Sequence, residues 1–297
     1  MSAKQEPDQW FEHELPDRDF IELAWFGEKD WPVLLLLHGL EGSYKSHYIQ
    51  RILHHLRSEN IAVCVAHFRS CGRKLNRLTS SYHSGISEDL TELLGFSWLK
   101  DAKEVYAAGF SLGGNVLLKW LGENPEQTKI KRAMAVSVPM KLDICANAIN
   151  TGMSRVYQKH LIDLLKVKTR KKLALDLPGP PISLKIDLNR IENFWQFDDS
   201  ITAPLHGFSS VQDYYQKASS YPWLKHITVP TLILQALDDP FLDPDVLPDQ
   251  NSMSETVHLE VSEVGGHIGF IESLNWRQSC FLSRRLRSFF FEESLSS

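Results

Sequence analysis

The chain has 297 residues, of which 43% are hydrophobic and 23% charged, and its formal net charge at pH 7 is -5. A soluble chain of this length buries roughly 75% of its unfolded surface, so its core needs no metal ion or disulfide for stability. The acidic balance argues against a nucleic-acid partner. The basic cluster at residues 166–172 is more typical of the solvated face of a helix.

Cysteine spacing and hydropathy indicate in which cellular compartment the protein resides. The four cysteines, Cys64, Cys71, Cys145 and Cys280, are scattered and form no CxxC pair. This pattern argues against a zinc or dithiol site and fits a reducing compartment. The first residues contain no apolar stretch of signal-peptide length, and no later segment approaches the ~18 apolar residues of a membrane span. We therefore expect a cytoplasmic protein without a membrane span; the sequence leaves its oligomeric state open.

Strands and amphipathic helices alternate along the first half of the chain. Residues 10–15 and 20–26 flank a Pro-Asp-Arg-Asp turn and predict an antiparallel hairpin. The continuous apolar run at residues 33–37 predicts a strand covered on both faces. The following periodicity predicts strands at 61–67, 105–109 and 133–138, and helices at 46–58, 87–99 and 113–122.

The alternation then lapses for roughly 70 residues, longer than a usual crossover connection. Helical patterns occur at 161–175 and 182–197, and the alternation resumes with a helix at 211–220, strands at 231–236 and 257–261, and a last helix at 276–291. We predict an α/β fold: a mostly parallel eight-stranded sheet with helices on both faces and an inserted helical cap. The predicted core comprises residues 1–139 and 209–297, and the predicted cap residues 140–208.

The main chemical signal is the GxSxG sequence at residues 109–113, which lies between a predicted strand and a predicted helix. In that context the serine occupies a strained turn, and the glycines allow close backbone approach. The turn presents the hydroxyl group above the sheet, near the positive end of the helix. The pattern therefore predicts that Ser111 is a nucleophile, whereas the same motif elsewhere is often an ordinary glycine-rich turn.

A serine hydroxyl needs an adjacent base, and in sheets with such a turn an acid and then a histidine follow the serine in the chain. Asp238 and Asp239 directly follow the predicted strand 231–236, and His267 lies in a glycine-rich loop after the strand 257–261. We predict His267 as the base. We favour Asp239 as the acid because a short apolar turn follows it, and we expect Asp238 to brace the loop.

Acyl transfer through a serine also requires two backbone N–H groups directed at the developing oxyanion. One is expected from Leu112, the residue after the nucleophile. The other is expected from Leu40, in the His-Gly-Leu segment that follows the strand 33–37. A mere glycine-containing turn is the alternative interpretation of this segment.

Several further motifs resemble the YheT-like branch of the α/β-hydrolases, which includes plant embryogenesis-associated and mammalian α/β-hydrolase-domain proteins. The resemblance covers most of the chain and implies a carboxylester hydrolase with Ser111, Asp239 and His267 as its triad. One departure is Ser70, where the branch more usually has glycine. The matching segments are HGLEGS (38–43), SHYI (46–49), FRSCG (68–72), SYHSG (81–85), GFSLGGN (109–115), APLHGF (203–208) and GGHIGF (265–270).

These observations predict hydrolysis of small-molecule esters with short- to medium-chain acyl groups, without a metal ion or organic cofactor. A thioesterase or acyltransferase would use the same triad, and a non-catalytic binding protein on this fold is a further alternative. Arg69, Cys71, His83 and His206 are left without an assigned role. The apolar candidates for the roof of an acyl pocket are Leu161, Ile162, Leu164, Leu165, Phe194, Trp195 and Phe197.

Overall fold

The computed structural model describes residues 4–182, 187–270 and 280–292. Its eight strands are β1 (Gln9–Glu14), β2 (Phe20–Phe26), β3 (Val33–Leu37), β4 (Ala62–His67), β5 (Val105–Phe110), β6 (Ile130–Val136), β7 (Thr231–Ala236) and β8 (Val257–Ser262). They form one sheet in the order β1-β2-β4-β3-β5-β6-β7-β8. Only β2 is antiparallel to its neighbours, β1 and β4. The predicted mostly parallel eight-stranded sheet is confirmed.

The helices occupy both faces of this sheet and the carboxyl edge of its strands. The described α-helices are α1 (His47–Leu56), α2 (Glu88–Leu94), α3 (Ser97–Asp101), α4 (Leu112–Glu123), α5 (Leu142–Ala148), α6 (Ser154–Leu173), α7 (Phe194–Phe197), α8 (Ala203–Leu205), α9 (Val211–Ala218) and α10 (Phe281–Arg287). Shorter 3₁₀ and π-helical segments are Leu188–Arg190, Asp198–Thr202, Tyr221–His226, Pro244–Val246, Gln250–Ser252 and Ser288–Glu292.

Strand β3 shows how the sheet divides the core into two layers. Its side chains alternate between the two faces, as the pleat of a strand requires. Val33, Leu35 and Leu37 pack in the layer that contains α2 and α4. Leu34 and Leu36 pack in the layer that contains α1 and α10. The apolar run in the sequence therefore marks a strand that is buried on both faces.

Two predicted elements have different bounds in the structure. The single helix predicted at 87–99 is two helices, because Gly95 ends α2 with its N–H on the Glu92 carbonyl and Phe96 takes an extended conformation. The strand predicted at 133–138 is Ile130–Val136. It ends there because Ser137 has a φ of 53°, a left-handed conformation that strands do not accommodate.

The middle and the end of the chain also differ in detail from the sequence prediction. The helix predicted at 161–175 begins earlier, at Ser154. Its inward-facing residues include serine, glutamine and threonine, so the apolar periodicity did not reveal its first two turns. Of the last predicted helix, residues 276–279 lie outside the described part of the chain, and the remainder is α10 followed by a π-helical segment.

The loop after β4 is fastened to the β1–β2 hairpin by a buried arginine. Arg69 forms a two-pronged ion pair with Asp89 at the start of α2, with N···O distances of 2.9 and 2.6 Å. Its guanidinium group also contacts the carboxylates of Asp17 and Asp19 in the hairpin turn. The Arg69 side chain is 9% exposed. Arg69 therefore joins three segments that are distant in sequence.

We predict that Arg69→Met lowers the free energy of unfolding by about 3–5 kcal/mol, because it leaves buried carboxylates without a counter-charge. The measurement is urea denaturation at pH 7. The control is Lys217→Met, which removes an ion pair whose lysine side chain is 64% exposed and should change stability by less than about 1 kcal/mol. Equal effects of the two substitutions would contradict the structural role of Arg69.

Candidate active site

Ser111 lies in a strained turn between β5 and α4. Its φ and ψ are 51° and -120°, an unfavourable region for a residue with a side chain. The turn is possible because of close backbone contacts on both sides. A Cβ atom on Gly109 would lie 2.4 Å from the Gly113 carbonyl oxygen, and one on Gly113 would lie 2.4 Å from the Leu37 carbonyl oxygen. The two glycines of the motif are thus sterically required.

The three residues predicted as a triad lie in one hydrogen-bonded series. His267 Nε2 is 3.0 Å from Ser111 Oγ, and His267 Nδ1 is 2.8 Å from Asp239 Oδ2. With Nδ1 donating to the carboxylate, Nε2 is left as the acceptor for the serine proton. The Asp239 side chain is fully buried, and its second oxygen accepts the Phe241 N–H at 2.9 Å. The arrangement has the geometry that proton transfer from a serine requires.

Asp238 has different hydrogen-bond partners from Asp239. Its Oδ1 atom accepts the N–H groups of Gly265 and Gly266 at 2.8 and 2.7 Å, in the loop that leads to His267. Gly266 has a φ of 55°, which glycine adopts without strain. The Phe241 ring lies edge-on to the imidazole, with centroids 4.1 Å apart. Together these contacts fix the position of the His267 ring.

The loop after β3 lies directly against the serine. A Cβ atom on Gly39 would be 3.3 Å from Ser111 Cβ, and the Gly39 N–H donates to Tyr48 at 2.8 Å. Neither the Leu40 nor the Leu112 N–H has a hydrogen-bond partner among the described residues. Both amides belong to the segments that border Ser111, so they are available to a substrate oxygen.

A neutral histidine holds this loop in place. His38 is completely buried, and burial together with neighbouring His67 lowers its pKa to about 3. Its Nδ1 is 2.7 Å from the Gly39 carbonyl oxygen, and its Nε2 is 3.2 Å from the Phe68 nitrogen. A neutral ring with the proton on Nδ1 satisfies both contacts, because Nδ1–H then donates and Nε2 accepts.

One feature that the sequence did not reveal is a polar cluster beside Leu40. Glu41 has a φ of 53°, and its N–H donates to the Tyr82 hydroxyl at 2.9 Å. Its carboxylate accepts from the Tyr82 hydroxyl at 2.7 Å and from Lys168 Nζ of α6 at 2.6 Å. The Lys168 and Glu41 side chains are only 13% and 9% exposed. No local pattern could indicate this pair, since its members are 127 residues apart.

A cavity of about 780 Å³ opens above Ser111 and His267. Its size is within the range typical of small-molecule sites. The segment between β6 and β7 supplies much of the apolar lining. Of the apolar candidates from the sequence, Leu161, Leu164, Leu165, Phe194 and Phe197 line the cavity. Ile162 does not line the cavity and packs in a cluster with Leu188 and Ile191, and Trp195 packs against Tyr215.

The four residues without a predicted role occupy different places. Arg69 is structural, as described above. Cys71 Sγ lies 3.3 Å from Lys168 Nζ. His83 and His206 both line the cavity, with ring centroids 4.6 Å apart. Burial and the nearby Arg69 and Lys172 lower the pKa of His206 to about 4, so this ring is neutral at pH 7.

Ser70, where the resemblance leads us to expect glycine, has a φ of 66°. That left-handed conformation favours glycine, which explains why glycine would suit the position. Here the Ser70 hydroxyl oxygen accepts a hydrogen bond from the backbone N–H of Asn76 at 2.9 Å. The side chain thus contributes contacts that a glycine would lack.

In the described ranges no group of three or more histidine, cysteine, aspartate or glutamate residues is placed to hold a metal ion. No helix within those ranges is long and apolar enough to cross a membrane.

Comparison with known proteins agrees with the fold. The chain is 38% identical over 285 residues to YheT of Escherichia coli (strain K12), a candidate esterase, covering 93% of this chain and 83% of that protein. It is 32% identical over 254 residues to a monoacylglycerol lipase of Saccharomyces cerevisiae, covering 83% of this chain but only 56% of the yeast protein. The chain thus spans little more than half of that relative.

Among solved structures, an esterase from Exiguobacterium antarcticum superimposes with a TM-score of 0.60 at 19% identity, covering 94% of this chain and 98% of the other. At that identity the likeness concerns the fold alone. The family description "alpha/beta hydrolase fold" matches residues 32–274. The chain therefore belongs to the α/β-hydrolase fold family and, within it, to the YheT-like branch.

Proposed function

We propose that the chain is a serine hydrolase that cleaves carboxylic esters of short- to medium-chain acyl groups through an acyl-serine intermediate. The observation that carries this proposal is the series Asp239–His267–Ser111, with contacts of 2.8 and 3.0 Å, at the floor of a largely apolar cavity. The similarity to a candidate esterase and to a monoacylglycerol lipase supports the reaction class.

In the acylation half-reaction, Ser111 Oγ attacks the ester carbonyl carbon while His267 Nε2 takes the serine proton. The buried Asp239 carboxylate orients the ring and stabilises its positive charge. The N–H groups of Leu40 and Leu112 donate to the oxyanion. When the tetrahedral intermediate collapses, the carbon–oxygen bond to the alcohol breaks, and His267 returns its proton to the leaving alcohol.

Deacylation repeats the same steps with water. His267 removes a proton from the water molecule as its oxygen attacks the acyl-serine carbonyl, and the same two amides hold the second oxyanion. Ser111 then leaves with the proton from His267, and the carboxylic acid is released. All proton transfers pass through one imidazole, so the chain's own residues suffice for the cycle.

We propose that residues 140–208 act as a cap that roofs the acyl pocket. The support is that α5, α6 and the segment 194–206 contribute apolar side chains to the cavity above Ser111. We further propose a cytoplasmic location, which is supported by the four cysteines, none of which forms a disulfide.

The nucleophile is tested by labelling with a fluorophosphonate probe. We expect the wild-type protein to be labelled at Ser111, and Ser111→Ala to lose both the label and esterase activity. Removing a triad serine lowers kcat by about 10⁴–10⁶-fold. The control is Ser81→Ala, which changes another serine that lines the cavity and should leave labelling intact. Labelling that persists in Ser111→Ala would place the nucleophile elsewhere.

The two adjacent aspartates provide a matched pair. Asp239→Asn should lower kcat about 10⁴-fold, because the imidazole loses its orienting anion and its productive tautomer. Asp238→Asn should lower kcat far less, because the amide oxygen can still accept the two N–H groups of Gly265 and Gly266. Both are measured with one p-nitrophenyl ester at saturation. If Asp238→Asn had the larger effect on kcat, our assignment of the acid to Asp239 would be wrong.

Acyl preference is tested with p-nitrophenyl esters of increasing chain length. We expect kcat/KM to rise up to roughly four to ten carbons, since each buried methylene contributes at most about 0.8 kcal/mol, and to fall for longer chains. Leu161→Trp should shift the optimum to shorter chains by filling the cavity. An optimum at acetate would contradict an acyl pocket under the cap. Products formed with added alcohols distinguish hydrolysis from acyl transfer.

A further inference from the structure

Helix α6 buries mainly polar side chains and exposes apolar ones, which is the opposite of a usual surface helix. A surface helix normally buries an apolar stripe and exposes polar residues. The buried residues of α6 are mostly polar: Ser154, Gln158, Ile162, Lys166, Thr169 and Lys172. Most of the large apolar side chains that the described part of the chain exposes belong to this helix and its ends: Met153, Val156, Tyr157, Leu164, Val167, Leu173 and Leu175.

The inward polar residues explain why the helix has this orientation. Lys172 Nζ donates to the carbonyl oxygens of Leu78 and Ser80 at 2.9 and 2.8 Å. Lys168 forms the buried pair with Glu41 described above. Gln158 donates to Asn150 at 2.9 Å. Rotating α6 to bury its apolar side would break these contacts, so the outward apolar face is a fixed feature of the fold.

Five of these seven exposed apolar residues form one stripe that reaches the cavity. At 100° per residue, Met153, Val156, Tyr157, Leu164 and Val167 fall within a sector about 100° wide. Two of them, Tyr157 and Leu164, also line the cavity above Ser111 although they are 54% and 37% exposed. The stripe is therefore continuous with the cavity lining.

The charges beside the stripe identify its partner. Lys159 and Arg170 are exposed beside the stripe and Lys171 is exposed within it, while Asp163, which pairs with Lys159, is the one acidic residue of α6. A two-fold contact between copies of this helix would bring these basic residues together, which is unfavourable. A helix with an exposed apolar face and flanking basic residues is instead typical of binding at the surface of anionic lipids.

We propose that the outward face of α6 docks on an anionic lipid surface, so that apolar ester molecules pass from the lipid into the cavity. The apolar stripe enters the headgroup region, and the basic residues contact the anionic headgroups. The transfer of substrate rests on the proposed hydrolase function, whereas the docking does not. Docking brings the mouth of the cavity, bordered by Tyr157 and Leu164, to the lipid surface.

The test is co-sedimentation of the full chain with phosphatidylcholine vesicles, with and without phosphatidylglycerol, at low and high salt. We expect binding to the phosphatidylglycerol vesicles that weakens with salt. Val156→Ser combined with Val167→Ser should lower this binding about 10-fold, because two apolar side chains no longer enter the lipid. The control combines Val264→Ser with Val261→Ser, at valines of similar exposure outside α6, and should bind like the wild-type protein.

Two further measurements distinguish lipid docking from a dimer contact through α6 and from the proposed hydrolase function. Ser111→Ala should bind the vesicles normally, so docking is measured without catalysis. Hydrolysis of a soluble ester should be unchanged in the Val156 and Val167 double variant, because neither residue lines the cavity. Absence of vesicle binding by the wild-type protein, equal binding by the double variant and its control, or a dimer lost in the double variant would each overturn the proposal.

Discussion

The strained turn at Ser111 depends on an unusually close approach of β3, β5 and α4. The first turn of α4 lies so near the end of β3 that any side chain at Gly113 would meet the Leu37 and His38 carbonyl oxygens within 2.5 Å. This contact holds the start of the helix over the sheet edge, and thereby sets where the serine hydroxyl points. It also brings the loop after β3 against Ser111. The backbone spacing of β3, β5 and α4 therefore sets the position of Ser111 independently of the side chains of Asp239 and His267.

The surrounding loops are held by buried polar groups. His38 and His67 are both buried, and burial lowers their pKa values to about 3 and about 4, so they remain neutral at pH 7. The neutral His38 ring joins the loops after β3 and β4, and His67 donates to the Glu22 carbonyl of β2 and accepts from the Tyr44 N–H, in each case without the cost of a buried charge. Asp238, which is exposed, braces the loop that carries His267 in another way, with a single carboxylate oxygen accepting two N–H groups. Rigid loops matter for the proposed reaction because its proton transfer requires accurate distances between three separate segments.

Helix α6 connects the cavity above Ser111 to the loop after β3 and to the solvent. Its Lys168 reaches Glu41, next to Leu40, while Leu161 and Leu165 line the cavity. The same inward contacts leave apolar residues on the outside. Its sequence predicts an ordinary solvated helix with a basic cluster at residues 166–172. In the structure, Lys166 and Lys172 are buried, so only part of that basic cluster is solvated.

The sequence by itself determined the sheet, the order of its elements and the candidates Ser111, Asp239 and His267, because buried strands, glycine-rich turns and the order of the chemical groups are local or ordered along the chain. It also distinguished Asp239 from Asp238 through the apolar turn that follows. Only the tertiary structure decided the bounds of α6 and the Glu41–Tyr82–Lys168 cluster. These features depend on contacts between residues far apart in the chain, where packing and hydrogen bonds with distant partners outweigh local periodicity.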